Sequence, residues 1–247
     1  MIADLWAVLW KELKELPLRQ GRGLLGKSPF SALVFPLVFG VFLPWQMGHA
    51  WVESPSTLSY WAWVPLLLVT SVVADSFAGE RERHTLETLL ASRLPEPAIL
   101  LGKVAAAVVY GWGMTMVSFL LGLVTVNVAH ARGQLLLYPA NVAAGVVVLS
   151  LLGAGLAASA GVLISLRAPT VRQAQQTLSL AILVLLFGGI YGLRALPPAW
   201  QAALLGPLER AGITQVVLVA AAGLVLLNLV LLALAMARFQ RARLILD

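Results

Sequence analysis

There is no cysteine in this chain. That excludes a disulfide framework and a thiolate metal site. Charge is scarce as well: charged side chains make up 11% of 247 residues, against roughly 25% in an ordinary soluble domain. So few charges cannot cover a globule with polar surface. The patterns of a catalytic or metal centre are also missing. His49, His84 and His130 lie on three different loops or run ends, with no H-x-x-x-H spacing, and no two aspartates face each other inside the apolar runs. No metal is expected to bind. A cleavable leader is not expected either, because Asp4 sits where a leader is basic and Lys11, Glu12, Lys14 and Glu15 interrupt any apolar stretch.

What the chain has in abundance is hydrocarbon. Sixty per cent of its residues are hydrophobic, with a mean hydropathy of +0.89. The reading is an all-α integral membrane protein forming one transmembrane domain over residues 1–247. Its length suits about six spans of ~20 apolar residues each. Six apolar runs are present, at 30–49, 60–77, 104–126, 141–164, 178–193 and 213–237.

Basic residues orient these runs. Lys11, Lys14, Arg19, Arg22 and Lys27 precede the first; Arg81, Arg83, Arg93 and Lys103 follow the second. Arg167 and Arg172 follow the fourth, and Arg238, Arg241 and Arg243 follow the sixth. That places fourteen of the 17 basic residues on one side and leaves Arg132, Arg194 and Arg210 on the other. The positive-inside rule then predicts a multi-pass protein of the cell (cytoplasmic) membrane with both termini in the cytoplasm. The net charge of +6 belongs to that face, so no nucleic acid is expected as a partner.

Residues 2–28 read as an interfacial helix and turn. Ile2, Leu5, Trp6, Leu9, Leu13 and Leu16 fall on one face, and Asp4, Lys11, Lys14 and Glu15 on the other. Such a helix lies in the lipid bilayer interface with Trp6 and Trp10 at headgroup level. A solvated helix packed on a partner is the alternative. Gly21-Arg22-Gly23-Leu24-Leu25-Gly26-Lys27-Ser28 fits the phosphate-loop pattern, but that chemistry needs a buried strand before the loop and a helix after it. Here an interfacial helix precedes it, and Pro29 and a span follow. The segment reads as a basic turn holding Lys27 at the anionic lipid surface.

The fifth run is short, and Pro197-Pro198 breaks the apolar segment after it. This predicts a re-entrant or interfacial piece with non-helical backbone between the fifth and sixth spans. In the fourth run Gly145, Gly153, Ala157, Gly161 and Ser165 form a ladder of small residues that admits a close helix neighbour, expected within the same chain. Asp75 is the acid embedded nearest a span. It reads either as a gate or pore residue or as a boundary residue with a local partner. Asn228, in the sixth run, reads as an interhelical hydrogen bond or as a pore ligand.

The densest charge in the chain follows the second run. Six of the 28 charged residues lie between Asp75 and Glu87. Leu86, Leu89, Leu90 and Leu94 share an apolar helical face, while Glu82, Arg83 and Glu87 point elsewhere. An Arg83–Glu87 pair at i,i+4 contributes only ~0.3–0.5 kcal/mol when exposed. Local stability then leaves the charge density unexplained, and the segment reads as a docking element, a cytoplasmic helix over 79–97 stopped by Pro95 and Pro97. Lys103 is expected to snorkel at the start of the third span.

Glu80-Arg81-Glu82-Arg83-His84-Thr85-Leu86-Glu87-Thr88-Leu89-Leu90, then Pro95, then Ile99-Leu100-Leu101-Gly102-Lys103, resembles the signature of type-2 ATP-binding-cassette (ABC) exporter permeases. The six spans, interfacial helix and outer re-entrant segment agree with that family. His84 departs from it, standing where the family often has glycine. The resemblance implies a permease subunit that is not itself an enzyme. ATP and Mg would be bound by separate ABC ATPase subunits, and a second permease subunit would complete a homo- or heterodimer. It also implies that Glu80, Arg81, Glu82, Arg83, Thr85, Leu86, Glu87, Leu89, Leu90 and Leu94 couple to the ATPase, and that substrate passes along the second and fifth spans. The apolar lining there favours a hydrophobic or amphipathic substrate. A haem- or cofactor-export permease of the same architecture, a membrane-embedded enzyme and a non-transporting assembly factor are the alternatives.

Overall fold

A computed structural model describes residues 1–20, 30–131 and 133–239. The described residues are helical, with turns and short connections between helices. Helix α1 is Ile2–Gln20. The first apolar run is not one clean span. It forms α2 (Phe30–Leu37), a wider π-helical turn at Val38–Phe42 and α3 (Leu43–Met47); Gly48, at φ +55°, then turns the chain into α4 (His49–Glu53). The π turn presents the Gly40 carbonyl to Thr125, from which it accepts a hydrogen bond at 2.7 Å.

Five longer helices follow, each long and apolar enough to cross a membrane: α5 (Thr57–Glu82), α7 (Glu96–His130), α8 (Ala140–Ser165), α9 (Val171–Ala195) and α11 (Ile213–Arg238). Between them lie the single turn α6 (Leu86–Leu90) and α10 (Pro198–Arg210). Two expectations change. The fifth run is not short, because the polar turns carrying Gln173, Gln175, Gln176 and Thr177 join it in a 25-residue helix. The Pro-Pro pair does not force irregular backbone. Pro198 opens α10, and a missing N–H costs nothing at a helix's first position.

The small-residue ladder of α8 packs on α5 within the chain. A Cβ on Gly161 would lie 2.1 Å from Val73 Cγ1, so the two backbones are closer than any side chain allows. The Ser165 hydroxyl donates to Ala74 O at 2.9 Å and accepts from Phe77 N and Ala78 N at 3.1 and 3.0 Å. The main core joins Val69, Val73 and Phe77 of α5 to Ile99 and Leu100 of α7 and Ala154, Ala158 and Val162 of α8. A second core, at the other end of the bundle, is a chain of rings: Trp51 on Trp61, Trp61 on Phe119 and Phe119 on Tyr138, with centroids 5.7, 5.4 and 4.3 Å apart.

The packed face of α1 also differs from the expected one. Val8, Glu12 and Leu16 are buried, and the helix packs on α7. Ile2, Trp6 and Trp10 point away from the bundle and are exposed.

Candidate functional site

The charged end of α5 is a junction of five helices. Each charge in Glu80-Arg81-Glu82-Arg83 has a partner, and three of the four partners lie on other elements. Glu80 Oε1 accepts from Lys103 Nζ at 2.8 Å. The same ammonium donates to Glu12 Oε1 of α1 at 2.8 Å and to Ser76 O at 2.9 Å, and it lies 5.2 Å from the centre of the Phe77 ring. All three ammonium protons are used, and Lys103, Glu12 and Glu80 are all buried. Lys103 therefore does not snorkel; it closes an ion triad linking α1, α5 and α7.

Arg81 donates to Leu166 O at 2.9 Å and to Ala168 O. Leu166 caps α8, where the helix leaves acceptors unused and the dipole favours a cation, and Ala168 lies in the turn before α9. Glu82 Oε1 accepts from Val171 N at 3.0 Å, at the first residue of α9, where the dipole favours an anion. Arg83 Nη1 meets Asp75 Oδ1 at 3.0 Å and Nη2 meets Oδ2 at 3.3 Å. Two turns of helix separate this pair, and Gly79 sits between them. A Cβ on Gly79 would lie 1.9 Å from Asp75 Oδ1, so glycine leaves the space through which the two side chains reach each other. The expected Arg83–Glu87 pair gives way to this one. Asp75 thus has the local partner of its boundary reading.

The end of α5 closes as a Schellman turn. Thr85 N donates to Glu80 O at 2.9 Å and His84 N to Arg81 O at 3.1 Å. His84 occupies the left-handed position of that turn, at φ +55°. This is the place a glycine favours, and it gives a physical reason for the glycine that the resemblance puts there. His84→Gly is expected to stabilise the protein by about 1 kcal/mol and His84→Val to destabilise it by a similar amount. Thermal midpoints of the purified variants check this.

Beyond the turn, Leu86 and Leu89 of α6 are turned toward the core rather than to solvent. Leu86 is buried, and Leu89 and Leu94 rest partly buried on the same main core. The side chain of Leu90 lies outside the described residues. The polar and charged residues that the segment exposes are His84, Thr85, Glu87, Thr88 and Arg93. The helix expected over 79–97 is divided: 79–82 end α5, 86–90 are α6, and α7 begins at Glu96.

The other expected site residues lie apart from this junction. Asn228 Nδ2 donates to Leu152 O at 3.0 Å, the interhelical bond of its first reading. Trp6 and Trp10 are on the outer face of α1, with Lys14 Nζ 5.5 Å from the Trp10 ring centre. Lys27 lies outside the described residues. Among the described residues no group of three or more potential metal ligands comes together.

Sequence reasoning missed Glu12 and the burial of Lys103. The signal was present: Glu12 follows Val8 by four residues and precedes Leu16 by four, which puts an acid inside an apolar stripe. Lys103 likewise sits among Leu100, Gly102, Val104 and Ala107. An acid and a base at apolar positions are candidates for each other.

Five long apolar helices with charge gathered at one end of the bundle define a multi-pass membrane protein. The family described as ABC-2 type transporter matches residues 3–211, and the chain belongs to that family. It is a permease subunit of an ABC transporter. No curated protein matches the chain.

Proposed function

We propose that the chain is the membrane subunit of an ATP-driven exporter, moving a hydrophobic or amphipathic substrate out of the cytoplasm. In this reading there are six spans. The helical stretch from α2 to α3 is the first, and α10 lies at the outer surface as the re-entrant or interfacial piece. The charged end of α5 and both termini are cytoplasmic, by the distribution of Lys and Arg. Separate ABC ATPase subunits hold ATP and Mg and dock on the segment from His84 to Pro95. A second permease subunit pairs with the first, and substrate passes along α5 and α9.

The observation that carries this reading is the junction itself. A segment with exposed Glu87, Thr88 and Arg93, carrying the one-turn helix α6, is fastened at its root to α1, α7, α8 and α9. A push on it is therefore delivered to most of the bundle. Leu86, Leu89 and Leu94 hold the turn to its own core, so the charged face is the one that docks.

The test is capture of an ATPase subunit by the purified chain. The double reversal Glu87→Lys/Arg93→Glu should weaken capture by about tenfold, equivalent to ~1.4 kcal/mol, while the permease still inserts and elutes as one species. Undiminished capture and unchanged substrate-stimulated ATP hydrolysis in this variant would remove the segment from the coupling mechanism.

A further inference from the structure

Among the described residues, helix α9 packs on the bundle along its first half, and at its far end Gln201 of α10 donates to Arg194 O at 3.1 Å. Ala174 and Leu178 are buried, with Ala174 in a small cluster with Ala74, Ala78 and Ala168, and Ile182 rests on the main core. From there to the far end, Leu183, Val184, Leu185, Phe187, Tyr191 and Leu193 are exposed, with Val184 and Tyr191 at 63% and 61%. Gly188, Gly189 and Gly192 face open space. The packed end carries two polar ties to α5: Glu82 accepts the first N–H of the helix, and Arg81 grips the carbonyls of the turn leading into it.

We propose that Glu82 and Arg81 are positioning residues that set the tilt of α9, so that α9 works as a lever driven from the end of α5. The inference rests on the transport reading for its purpose, though its geometry stands without it. Taking Leu178 as the fulcrum, Val171 lies seven residues to one side and Tyr191 thirteen to the other. At 1.5 Å per residue these arms are about 10 and 20 Å. A displacement of about 1 Å at the clamp becomes about 2 Å at Tyr191. Each 10° of tilt moves Tyr191 by about 3.5 Å.

The leverage is asymmetric because Glu82 ties the first residue of the short arm and Arg81 ties the turn before it, whereas the long arm beyond Ile182 is largely exposed among the described residues. Both ties are stronger than neutral hydrogen bonds, since each joins an ionised side chain to the backbone. They also act on a helix terminus, where a side chain fixes direction as well as position. Apolar packing at Ala174 and Leu178 can slide or roll. The two charged ties stop it from doing so.

The absence of cysteine permits a clean measurement. Spin labels at Val148→Cys on α8 and Tyr191→Cys on α9, both exposed positions, report the distance between the far ends of these helices. The labelled chain is reconstituted in lipid nanodiscs and diluted with unlabelled chain. Arg81→Ala/Glu82→Ala should shift the mean distance by about 3 Å or more, or double the width of its distribution. Glu82→Ala alone should produce a smaller change in the same sense; its bond is at the surface, so the fold is retained. Glu82→Gln keeps an acceptor oxygen and should restore the unmodified distribution. Glu87→Ala, at an exposed position of α6, should leave it unchanged.

The proposal is overturned if the double variant and Glu82→Ala both keep the unmodified distribution, or if Glu87→Ala disturbs it equally. Neither ATPase nor substrate is present in this experiment. A negative result therefore strikes the lever alone, whereas failure to capture an ATPase strikes the transport reading.

Discussion

Replacing Lys103 with methionine is expected to destabilise the protein by about 3–5 kcal/mol, the scale for breaking one side of a buried ion pair. The substitution keeps most of the volume and removes only the charge. Glu12 and Glu80 would then lose the ammonium they share, and the Ser76 carbonyl would lose its bond to that ammonium. Glu80 has little in reserve, because its Oε2 already lacks a hydrogen-bond partner among the described residues. The same physics predicts a recovery. Glu12→Gln/Glu80→Gln/Lys103→Met replaces the triad with neutral groups and should regain most of the loss, since a buried triad costs much of its attraction in desolvation. The measurement is the thermal midpoint in detergent, with monodispersity on size exclusion. A Lys103→Met variant as stable as the parent would show that the triad contributes nothing to holding α1 and α5 on α7.

Gly161→Val is the second large effect. The added Cβ alone would stand 2.1 Å from Val73 Cγ1 and 3.0 Å from Leu178 Cδ2. Val73 is fully buried and Leu178 closes the other side, so a valine here is accommodated only by shifting these side chains or by parting α5 and α8. Overpacking of this kind costs about 1–3 kcal/mol, and more where the backbone moves. Parting these helices also pulls Ser165 from the α5 backbone. Gly161→Ala combined with Val73→Ala trades one methyl for two and should recover most of the stability. A stable, monodisperse Gly161→Val would place the helices further apart than the structure has them.

The two predictions concern features that were unequally legible in the sequence. The ladder ending at Gly161 and Ser165 could be read directly, because a period of four small residues on an apolar helix has one structural meaning. The bounds of α8 and α11 were equally plain, as their apolar runs end where the helices do. The fifth run looked short because hydropathy fades through Gln173 to Thr177, whereas helix continuity is a backbone property that polar side chains do not interrupt. The first run looked whole because nothing in its hydropathy marks the π turn. That turn depends on Thr125, far along the chain, reaching the Gly40 carbonyl.

The charged run was misread for a related reason. Sequence displays the neighbours at i+3 and i+4, and by that measure Arg83 belonged to Glu87. The actual partners of Glu80, Arg81 and Glu82 are Lys103, the end of α8 and the start of α9. Only Asp75 and Arg83 are local, and their pairing depends on the gap left by Gly79. An apolar stripe is ambiguous in the same way: Leu86, Leu89 and Leu94 have the pattern of a docking face and serve to hold the turn down.

The junction also imposes an order on biogenesis. Glu82 waits for a backbone amide 89 residues later in the chain, and Ser165 must arrive before it can enter the backbone of α5. At ~5–20 residues per second, synthesis needs on the order of 5–20 s to cover that interval. During it, among the described residues, the end of α5 has Asp75, Glu12 and Lys103 to pair with, and the charges that bond α8 and α9 in the folded protein must stay in water. The dense charge that later ties the bundle together thus also keeps the nascent helix from sliding further into the lipid before α8 and α9 have been inserted.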